Sequence, residues 1–389
     1  MKKQNIFFDP GQNFPPVEDL GDMETMKTIG DLYKAYLESQ RIDLERFREK
    51  IFRFFDICET KTKREKYGLH DKFFTYIAHI WRHMIIYLEK INLARSFWDS
   101  VLGLVYEWEK NNKKRIHKGT PYYFYGVTNI IADDISSGFL LMHQAFREDH
   151  ITTQEIEQKD FPDPKTPAYS FITLDYENIN QYYRPKVFEI ASFLSEKIKD
   201  YVNKRGSNLT LEDFKNKFLE KKESTLITDI IYYFIYSLFQ LNKLFNMRNE
   251  VTENKFASML EANIIFDLCL VLDKTIAYKN PDNESLYLRD QIRFLCDKNN
   301  VNLVFNKIKN FGSNEVKISG FDTALENLLN SQSHNIETLL EEDFAVSHIC
   351  RNYGAHNLRN ESLIYKRFKD IIQRILNSIF YSVEKLYSQ

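Results

Sequence analysis

The chain has 389 residues, of which 43% are hydrophobic and 28% are charged, so it is long enough for two or three folded domains and unlike a disordered chain. Its net charge of −2 excludes a global electrostatic attraction to nucleic acid, so any RNA contact must come from a local basic surface. Only 12 glycines and 9 prolines occur, which argues against the many tight turns of an all-β fold.

The N-terminal part of the chain begins with a stretch rich in prolines and glycines, and apolar residues recur regularly after it. Residues 1–22 are interrupted by prolines and glycines, and we expect an irregular segment there. From residue 23 onward apolar residues recur at helical spacing, as in Leu44, Phe47 and Ile51, with charged residues between them. The pattern predicts amphipathic helices, and we assign residues 23–220 to a helical scaffold.

One stretch of this scaffold, 119–150, carries small residues at offsets that let two antiparallel helices approach closely. It resembles a single tetratricopeptide repeat, with Asp133 and Asp134 at the turn between the helices. The residues that carry the resemblance are Gly126, Gly138, Met142 and Ala145. Because one such unit cannot bury its own apolar face, we expect it to stack on neighbouring helices.

A proline-rich connector and a charged stretch divide the remainder of the chain. Three prolines between Lys159 and Pro167 predict an extended linker, and Thr210 or Asn208 can cap the helix that follows Gly206. We place the domain boundary near Glu220, so that 221–389 forms the second domain.

The second domain is predicted to be an antiparallel helical bundle. Residues 299–330 are interpreted as an insertion, in which 299–320 is either a short strand or a loop. The predicted helices are 226–247, 253–279, 285–298, 321–329, 336–353 and 363–387. The overall prediction is an all-α protein.

Three features of the sequence bear on the cellular compartment. The four cysteines form no CxxC pair, and we expect them to be reduced and mostly buried, as in a cytoplasmic protein. The apolar stretch Ile6–Phe8 is too short for a signal peptide. The most apolar run, Leu226–Leu241, contains Asp229 and is shorter than a membrane span, so it is predicted to be a buried core helix, and no membrane contact is expected.

The most informative stretch is 351–356, which combines Arg351 and His356 near the end of a predicted helix. Arginine can hold a phosphate with two parallel hydrogen bonds, and histidine can transfer a proton near neutral pH. On one intact helix the two side chains would point about 140° apart. Gly354 lies between them and can end the helix, so either the side chains converge there or a second subunit supplies the partner.

The arrangement Arg351, Asn352 and His356 resembles the Arg-Asn-x-x-x-His motif of the HEPN superfamily, and the resemblance covers roughly 225–389. It implies a metal-independent endoribonuclease that acts as a homodimer through the C-terminal bundle. Members with tetratricopeptide-like helices ahead of this domain are bacterial toxins or antiviral effectors. The resemblance assigns phosphate binding to Arg351, proton transfer to His356, and either orientation of the histidine or a hydrogen bond to a phosphate oxygen to Asn352.

Further residues are candidates for RNA binding. His348 precedes Arg351 by one helical turn, and Tyr353 could stack on a base. The last helix carries Lys366, Arg367 and Arg374, which could form the local basic surface. Each candidate also has a purely structural interpretation. His348 could be a partly buried histidine, Tyr353 a core residue, and the basic residues of the last helix part of a solvated helix face.

Several alternatives stay open. Arg351 could pair with an acid such as Glu341 or Glu342, and His356 could be a helix C-terminal group. The domain could be a nucleotide-binding module without catalysis, or the chain a pure interaction protein that binds a protein partner or antitoxin through its N-terminal helices. His79 and His83 have a metal-compatible spacing but lack an HExxH glutamate. No phosphate-binding glycine loop occurs, and neither a cofactor nor a metal is expected.

Overall fold

The structure is a computed structural model that describes residues 23–39, 43–86, 88–157, 166–177, 179, 184–221, 224–247, 255–280, 287–298, 321–353 and 361–387. Every regular element in these residues is a helix and none is a strand, which confirms the predicted all-α class. The segment 1–22 and the strand or loop at 299–320 lie outside the described residues.

The helices agree closely with the periodic segments of the sequence. In chain order they are α1 (Met23–Ser39), α2 (Arg48–Cys58), α3 (Lys63–Ile86), α4 (Ile91–Asn112), α5 (Gly119–Ile131), α6 (Ile135–Glu157), α7 (Pro167–Ile172), α8 (Arg184–Arg205), α9 (Leu211–Phe214, followed by a π-helical turn, Lys215–Leu219), α10 (Thr225–Met247), α11 (Lys255–Ala277), α12 (Leu288–Lys298), α13 (Phe321–Leu329), α14 (Ile336–Tyr353) and α15 (Glu361–Leu386).

The chain folds into two compact units, which we call unit 1 (Met1–Tyr169) and unit 2 (Ser170–Gln389). The boundary that the sequence suggested, near Glu220, therefore lies inside unit 2. The reason is that α8 packs against α10, α14 and α15. For example, the Tyr201 hydroxyl of α8 donates a hydrogen bond to Oε2 of Glu384 on α15, at 2.8 Å.

In unit 1, α5 and α6 form a tightly packed antiparallel pair joined by a turn at 132–134. A Cβ atom on Gly138 would lie 2.5 Å from Cγ1 of Ile130 and 3.0 Å from the carbonyl oxygen of Gly126. A Cβ atom on Gly126 would lie 3.1 Å from the backbone nitrogen of Met142. The predicted close approach of two helices is present here, while the assignment to the tetratricopeptide type stays a prediction.

The core of unit 1 is largely aromatic. Phe54 and Phe73 stack with their ring centroids 4.9 Å apart, and Trp98 stacks on Phe124 at 5.8 Å. The rings fill the space between helices, and Trp98 is fully buried. The high aromatic content of the sequence is thus used in helix–helix packing.

In unit 2, α11 contacts α10, α12, α14 and α15. The most apolar run of the sequence forms α10, whose buried residues include Ile227, Ile231, Phe234 and Leu238, as predicted for a core helix. All four cysteines are buried and free, as expected: Cys58, Cys269, Cys296 and Cys350. No helix in the described part of the chain combines the length and the apolar character needed to cross a bilayer.

A buried ionic network holds α8, α14 and α15 together. Asp343, whose side chain is fully buried, accepts hydrogen bonds from Nε and Nη2 of Arg205 at 2.7 and 2.8 Å. It also accepts from Nη1 of Arg374 at 2.9 Å and from Nδ2 of Asn377 at 3.1 Å. A buried carboxylate is stable only when its charge and its lone pairs are satisfied, and here four donors do so.

Candidate functional site

Arg351, the arginine of the predicted motif, lies in the last turn of α14. Its guanidinium carbon is 5.0 Å from the centroid of the Phe266 ring, and its Nη2 is 3.8 Å from Oδ2 of Asp273. Phe266 and Asp273 are seven residues apart on α11 and therefore share one face of that helix. The Arg351 side chain is 27% exposed, so its guanidinium reaches solvent at the edge of the bundle.

The guanidinium of Arg351 is held loosely. Its contact with Asp273 is too long for a hydrogen bond, and it donates no hydrogen bond to any residue that the structure describes. Burial raises the pKa of Asp273, and the nearby Arg351 offsets this only in part. Nε of Arg351 is buried, so an additional anion would bind to the two Nη groups of the guanidinium.

The acids that the sequence offered as alternative partners of Arg351 are used elsewhere. Oε1 of Glu342 accepts a hydrogen bond from the Ser331 hydroxyl at 2.7 Å, and its Oε2 lies 3.8 Å from Nη1 of Arg374. Glu341 is buried and lies ten residues before Arg351 on the same helix, a separation of about 15 Å along the helix axis. The acid near Arg351 is instead Asp273, on a neighbouring helix.

The other residues of the motif come directly after Arg351 in the chain. The helix ends at Tyr353, as predicted, so the backbone of Asn352 and Tyr353 completes α14. Their side chains, and residues 354–360 with Gly354 and His356, lie outside the described part of the structure. The convergence of Arg351 and His356 on one phosphate thus stays a prediction.

His348, which was predicted to assist RNA binding, is buried with 2% exposure. Burial and, to a lesser extent, the neighbouring Arg289 together lower its pKa to about 4, so the ring is neutral at physiological pH. In this position the imidazole does not reach solvent. The structure therefore favours the packing role that the sequence left open for this residue.

The predicted basic surface on α15 is smaller than the sequence suggested. Lys366 is exposed. Arg367 donates to Oδ2 of Asp370 at 2.8 Å and to the carbonyl oxygen of Leu329 at 2.9 Å. The guanidinium of Arg374 is directed into the Asp343 network with 13% exposure, so its role is structural. Both arginines were chosen by charge alone. Asp343 binds Arg374 in the interior, whereas the partner of Arg367, Asp370, is exposed and partly neutralises its charge at the surface.

A second group of ionisable residues lies in unit 1, around His117. Nε2 of His117 is 3.3 Å from Oδ1 of Asp71 and 3.5 Å from Oδ1 of Asp149, while its Nδ1 is 2.8 Å from Oγ1 of Thr152. A Cβ atom on Gly119 would lie 2.9 Å from Nε2 of His117, so glycine permits this approach.

These residues perturb one another's ionisation. Burial raises the pKa of Asp149 to about 7, and the nearby His117 offsets only part of that rise. Burial alone would lower the pKa of His117, but Asp71, Asp149 and Glu148 raise it above its ordinary value. Burial lowers the pKa of the adjacent His70 well below its ordinary value. The group is a proton-binding cluster in which His117 and Asp149 are largely buried and Asp71 is partly exposed.

Of the two histidines with metal-compatible spacing, His83 packs against aromatic rings. The His83 ring meets Tyr33 and Tyr36 edge-on, at centroid distances of 6.0 and 5.9 Å. Within the described residues, no three His, Cys, Asp or Glu side chains converge as a metal site would need.

Phe266 and Asp273 were not identified from the sequence. An acid inside an apolar helix such as α11 indicates that a cation is nearby, because a buried carboxylate needs one. The pattern does not say which cation, since Arg351 is distant in sequence.

No protein-family model, no curated protein and no solved structure matches this chain.

Proposed function

We propose that the C-terminal unit is a metal-independent endoribonuclease of the HEPN type and that Arg351 is its phosphate-binding residue. One observation carries the proposal. The Arg351 guanidinium lies at the solvent edge of a helical bundle, is oriented by Phe266, and donates no hydrogen bond to a described residue. A buried or fully paired arginine could not bind a phosphate in this way.

The proposed reaction is an in-line attack of the ribose 2′-oxygen on the adjacent phosphorus. The bond from O2′ to phosphorus forms and the bond from phosphorus to O5′ breaks. His356 accepts the 2′-hydroxyl proton or donates a proton to O5′, and its counterpart in a second subunit performs the other transfer. Arg351 stabilises the charge that develops on the phosphorane oxygens, and Asn352 orients the histidine or donates to one of them. The products are a 2′,3′-cyclic phosphate and a 5′-hydroxyl.

Within this proposal the biological role is that of a cytoplasmic toxin or anti-phage effector. The homodimer forms through the C-terminal bundle, and the N-terminal helices bind a trigger or a neutralising partner. The role and the partners come from the motif of the C-terminal unit and from the helical character of unit 1.

The decisive experiment compares wild-type protein with Arg351→Ala and His356→Ala in the presence of EDTA. Each variant should lower the cleavage rate of single-stranded RNA by at least about 100-fold, because each removes transition-state stabilisation or proton transfer. Matched controls are Arg184→Ala and His334→Ala, which alter exposed residues of the same unit. Both should cleave at the wild-type rate.

The alternative reading makes a different prediction. If the chain is only an interaction protein, all five proteins leave RNA intact and bacteria that express them grow equally. A wild-type protein that is toxic and cleaves RNA, beside two inactive motif variants, supports the nuclease.

A further inference from the structure

Unit 2 contains a cavity of about 760 Å³ between α10, α11 and the second turn of α15. This volume lies in the range of small-molecule sites in proteins, roughly 300–1,000 Å³. Its lining is unusually aromatic and also polar. The residues that matter for the argument are Tyr233, Tyr236, Phe256, Asn263, Asp267 and Tyr365.

One wall of the cavity suits a flat ring. The Tyr233 and Tyr236 rings stack on each other, 26° from parallel with their centroids 6.0 Å apart, and both line the cavity, so a flat ring that enters can extend this stack. Phe256, which also lines the cavity, is 69% exposed. Stacking on such surfaces is how proteins hold unpaired bases, because every base has a π face.

The polar edge of the cavity suits a ligand that carries a hydrogen-bond donor next to a hydrogen-bond acceptor. The Tyr233 hydroxyl donates to Oδ1 of Asp267 at 2.6 Å, whereas Oδ2 receives no hydrogen bond from the described residues. The Asn263 side chain is exposed one helical turn earlier and bonds to none of the described residues. A carboxylate oxygen that accepts and an amide that donates therefore stand side by side.

Each of the four RNA bases has this complement on its Watson–Crick edge, where an N–H group lies next to an acceptor. The pattern is N6–H and N1 in adenine, N4–H and N3 in cytosine, N1–H and O6 in guanine, and N3–H and O4 in uracil. Lys243, which also lines the cavity, supplies a positive charge close to where a sugar–phosphate would enter.

The cavity and Arg351 border the same part of α11. Phe266 contacts the guanidinium, and the next residue, Asp267, lines the cavity. Successive helical residues point about 100° apart, so the two sites lie on different sides of one helical turn. The two sites thus share one turn of α11, and joint use of both requires that an RNA strand whose phosphate meets Arg351 can place a neighbouring base in the cavity.

We propose that this cavity binds one unpaired base of the RNA substrate, stacked on Tyr233 and Tyr236 and hydrogen-bonded to Asn263 and Asp267. The inference rests on the proposed ribonuclease function and assigns a base-recognition subsite to it. The base held there would fix which phosphate lies at Arg351 and hence the cleavage position.

The test uses the full chain and the four ribonucleosides, adenosine, cytidine, guanosine and uridine, which lack phosphate. Binding is followed by saturation-transfer NMR and titration. At least one nucleoside should bind, and Asn263→Ala and Asp267→Ala should each weaken its binding about tenfold, the effect expected from losing one hydrogen bond to a bound ligand. Asn263 is exposed, so its replacement leaves the fold intact.

The controls separate the two proposals. Asp229→Ala alters an exposed acid on α10, and Arg351→Ala alters the phosphate site; both should bind nucleoside as the wild type does. Absence of nucleoside binding, or equal binding by wild type and Asn263→Ala, overturns the base site, even if RNA is still cleaved. Nucleoside binding without RNA cleavage overturns the nuclease and leaves the base site standing.

One further outcome would reassign the cavity. If no nucleoside binds and Phe256→Asp converts a dimer into a monomer, then the exposed aromatic rim is covered by a second copy of the chain. That result contradicts the base-binding proposal.

Discussion

The ring of Phe266 lies beside the guanidinium of Arg351, with 5.0 Å between the guanidinium carbon and the ring centroid. A cation over an aromatic face is held by the ring quadrupole and still keeps its N–H groups for other acceptors. An ion pair with short hydrogen bonds would use those groups up. The arrangement therefore orients the guanidinium while leaving it able to bind phosphate.

The acid near Arg351 should weaken RNA binding. Asp273→Asn removes a negative charge 3.8 Å from the guanidinium and keeps the side-chain shape. We expect RNA to bind about fivefold more tightly at low salt, as a change of roughly 1 kcal/mol in local electrostatics would give. Fluorescence anisotropy at 50 mM and 300 mM salt measures this, and the gain should shrink at the higher salt.

The control for that prediction is Asp229→Asn, which removes an exposed acid from α10. It should change RNA affinity less than twofold, because an exposed charge is screened by solvent and salt. Equal affinities for wild type and Asp273→Asn would show that phosphate does not bind at Arg351.

Two helical glycines of unit 1, one in the α5–α6 contact and one in α4, should show opposite changes in stability when replaced by alanine. Gly138→Ala places a methyl group 2.5 Å from Ile130 and should destabilise unit 1 by about 1–3 kcal/mol, the cost of overpacking a core. Gly103→Ala, in α4, meets no atom within 4 Å and should stabilise it by about 0.5–1 kcal/mol through higher helix propensity.

Tryptophan fluorescence in urea is the measurement for both variants. All three tryptophans, Trp81, Trp98 and Trp108, belong to unit 1, so their emission reports that unit alone. Equal midpoints for the two variants would mean that the helices do not approach as closely as the structure has them.

Arg374 should matter for stability, not for RNA affinity. Arg374→Ala leaves the buried Asp343 with fewer donors and should destabilise unit 2 by about 3 kcal/mol, as expected when a buried ion pair loses one partner. Lys366→Ala, on the exposed side of the same helix, should change stability by less than about 0.5 kcal/mol. Hydrogen exchange of α14 and α15, followed by mass spectrometry, distinguishes the two.

A reduced RNA affinity of folded Arg374→Ala, with unchanged protection of α14, would instead restore the surface role that its charge suggested.

The proton-binding cluster of unit 1 predicts a pH-dependent stability. The pKa of Asp149 is about 7 in the folded chain and near 4 in an unfolded one, so the folded state holds a proton that the unfolded state releases. This contribution is complete below about pH 4 and is lost as the pH rises through about 7. His117, whose pKa is also raised, loses its contribution in the same direction.

Asp149→Asn mimics the protonated acid and tests this directly. The variant should unfold at a higher temperature than the wild type at pH 8, and the difference should vanish near pH 4. Trp fluorescence against temperature at each pH measures this difference. The lowered pKa of His70 destabilises the folded state in acid, but this effect is the same in both proteins and cancels when they are compared. A difference that is constant with pH would show that Asp149 ionises normally.

Much of the fold could be read from patterns that are local in sequence. Apolar residues at helical spacing located α10, α14 and α15 to within a few residues. The capping box at the start of α9, in which Thr210 and Asp213 bond to each other's backbone N–H groups, joins residues three apart and was suggested by residue type. Likewise, small residues located the tight approach of α5 and α6.

The site was only partly predictable. The sequence singled out Arg351 as a candidate, because an arginine followed by asparagine at a helix end is a recognisable pattern, and its functional role stays a prediction. It overestimated the basic surface on α15, because the charge of Arg374 is visible in the sequence but its burial is not. The burial of His348 was likewise not visible in the sequence, because the packing of neighbouring helices decides whether a histidine on α14 faces solvent.

The sequence by itself determined the helical class, the positions of most helices and the residues with chemistry to offer. Only the tertiary structure decided the unit boundary, the pairing of Arg205 with Asp343 across 138 positions, and the placement of Arg351 against Phe266 and Asp273. Helix formation follows from interactions three or four residues apart, which any short window of sequence contains. The partner of a buried charge depends on how whole helices pack, and that is set by the sum of contacts over the entire unit.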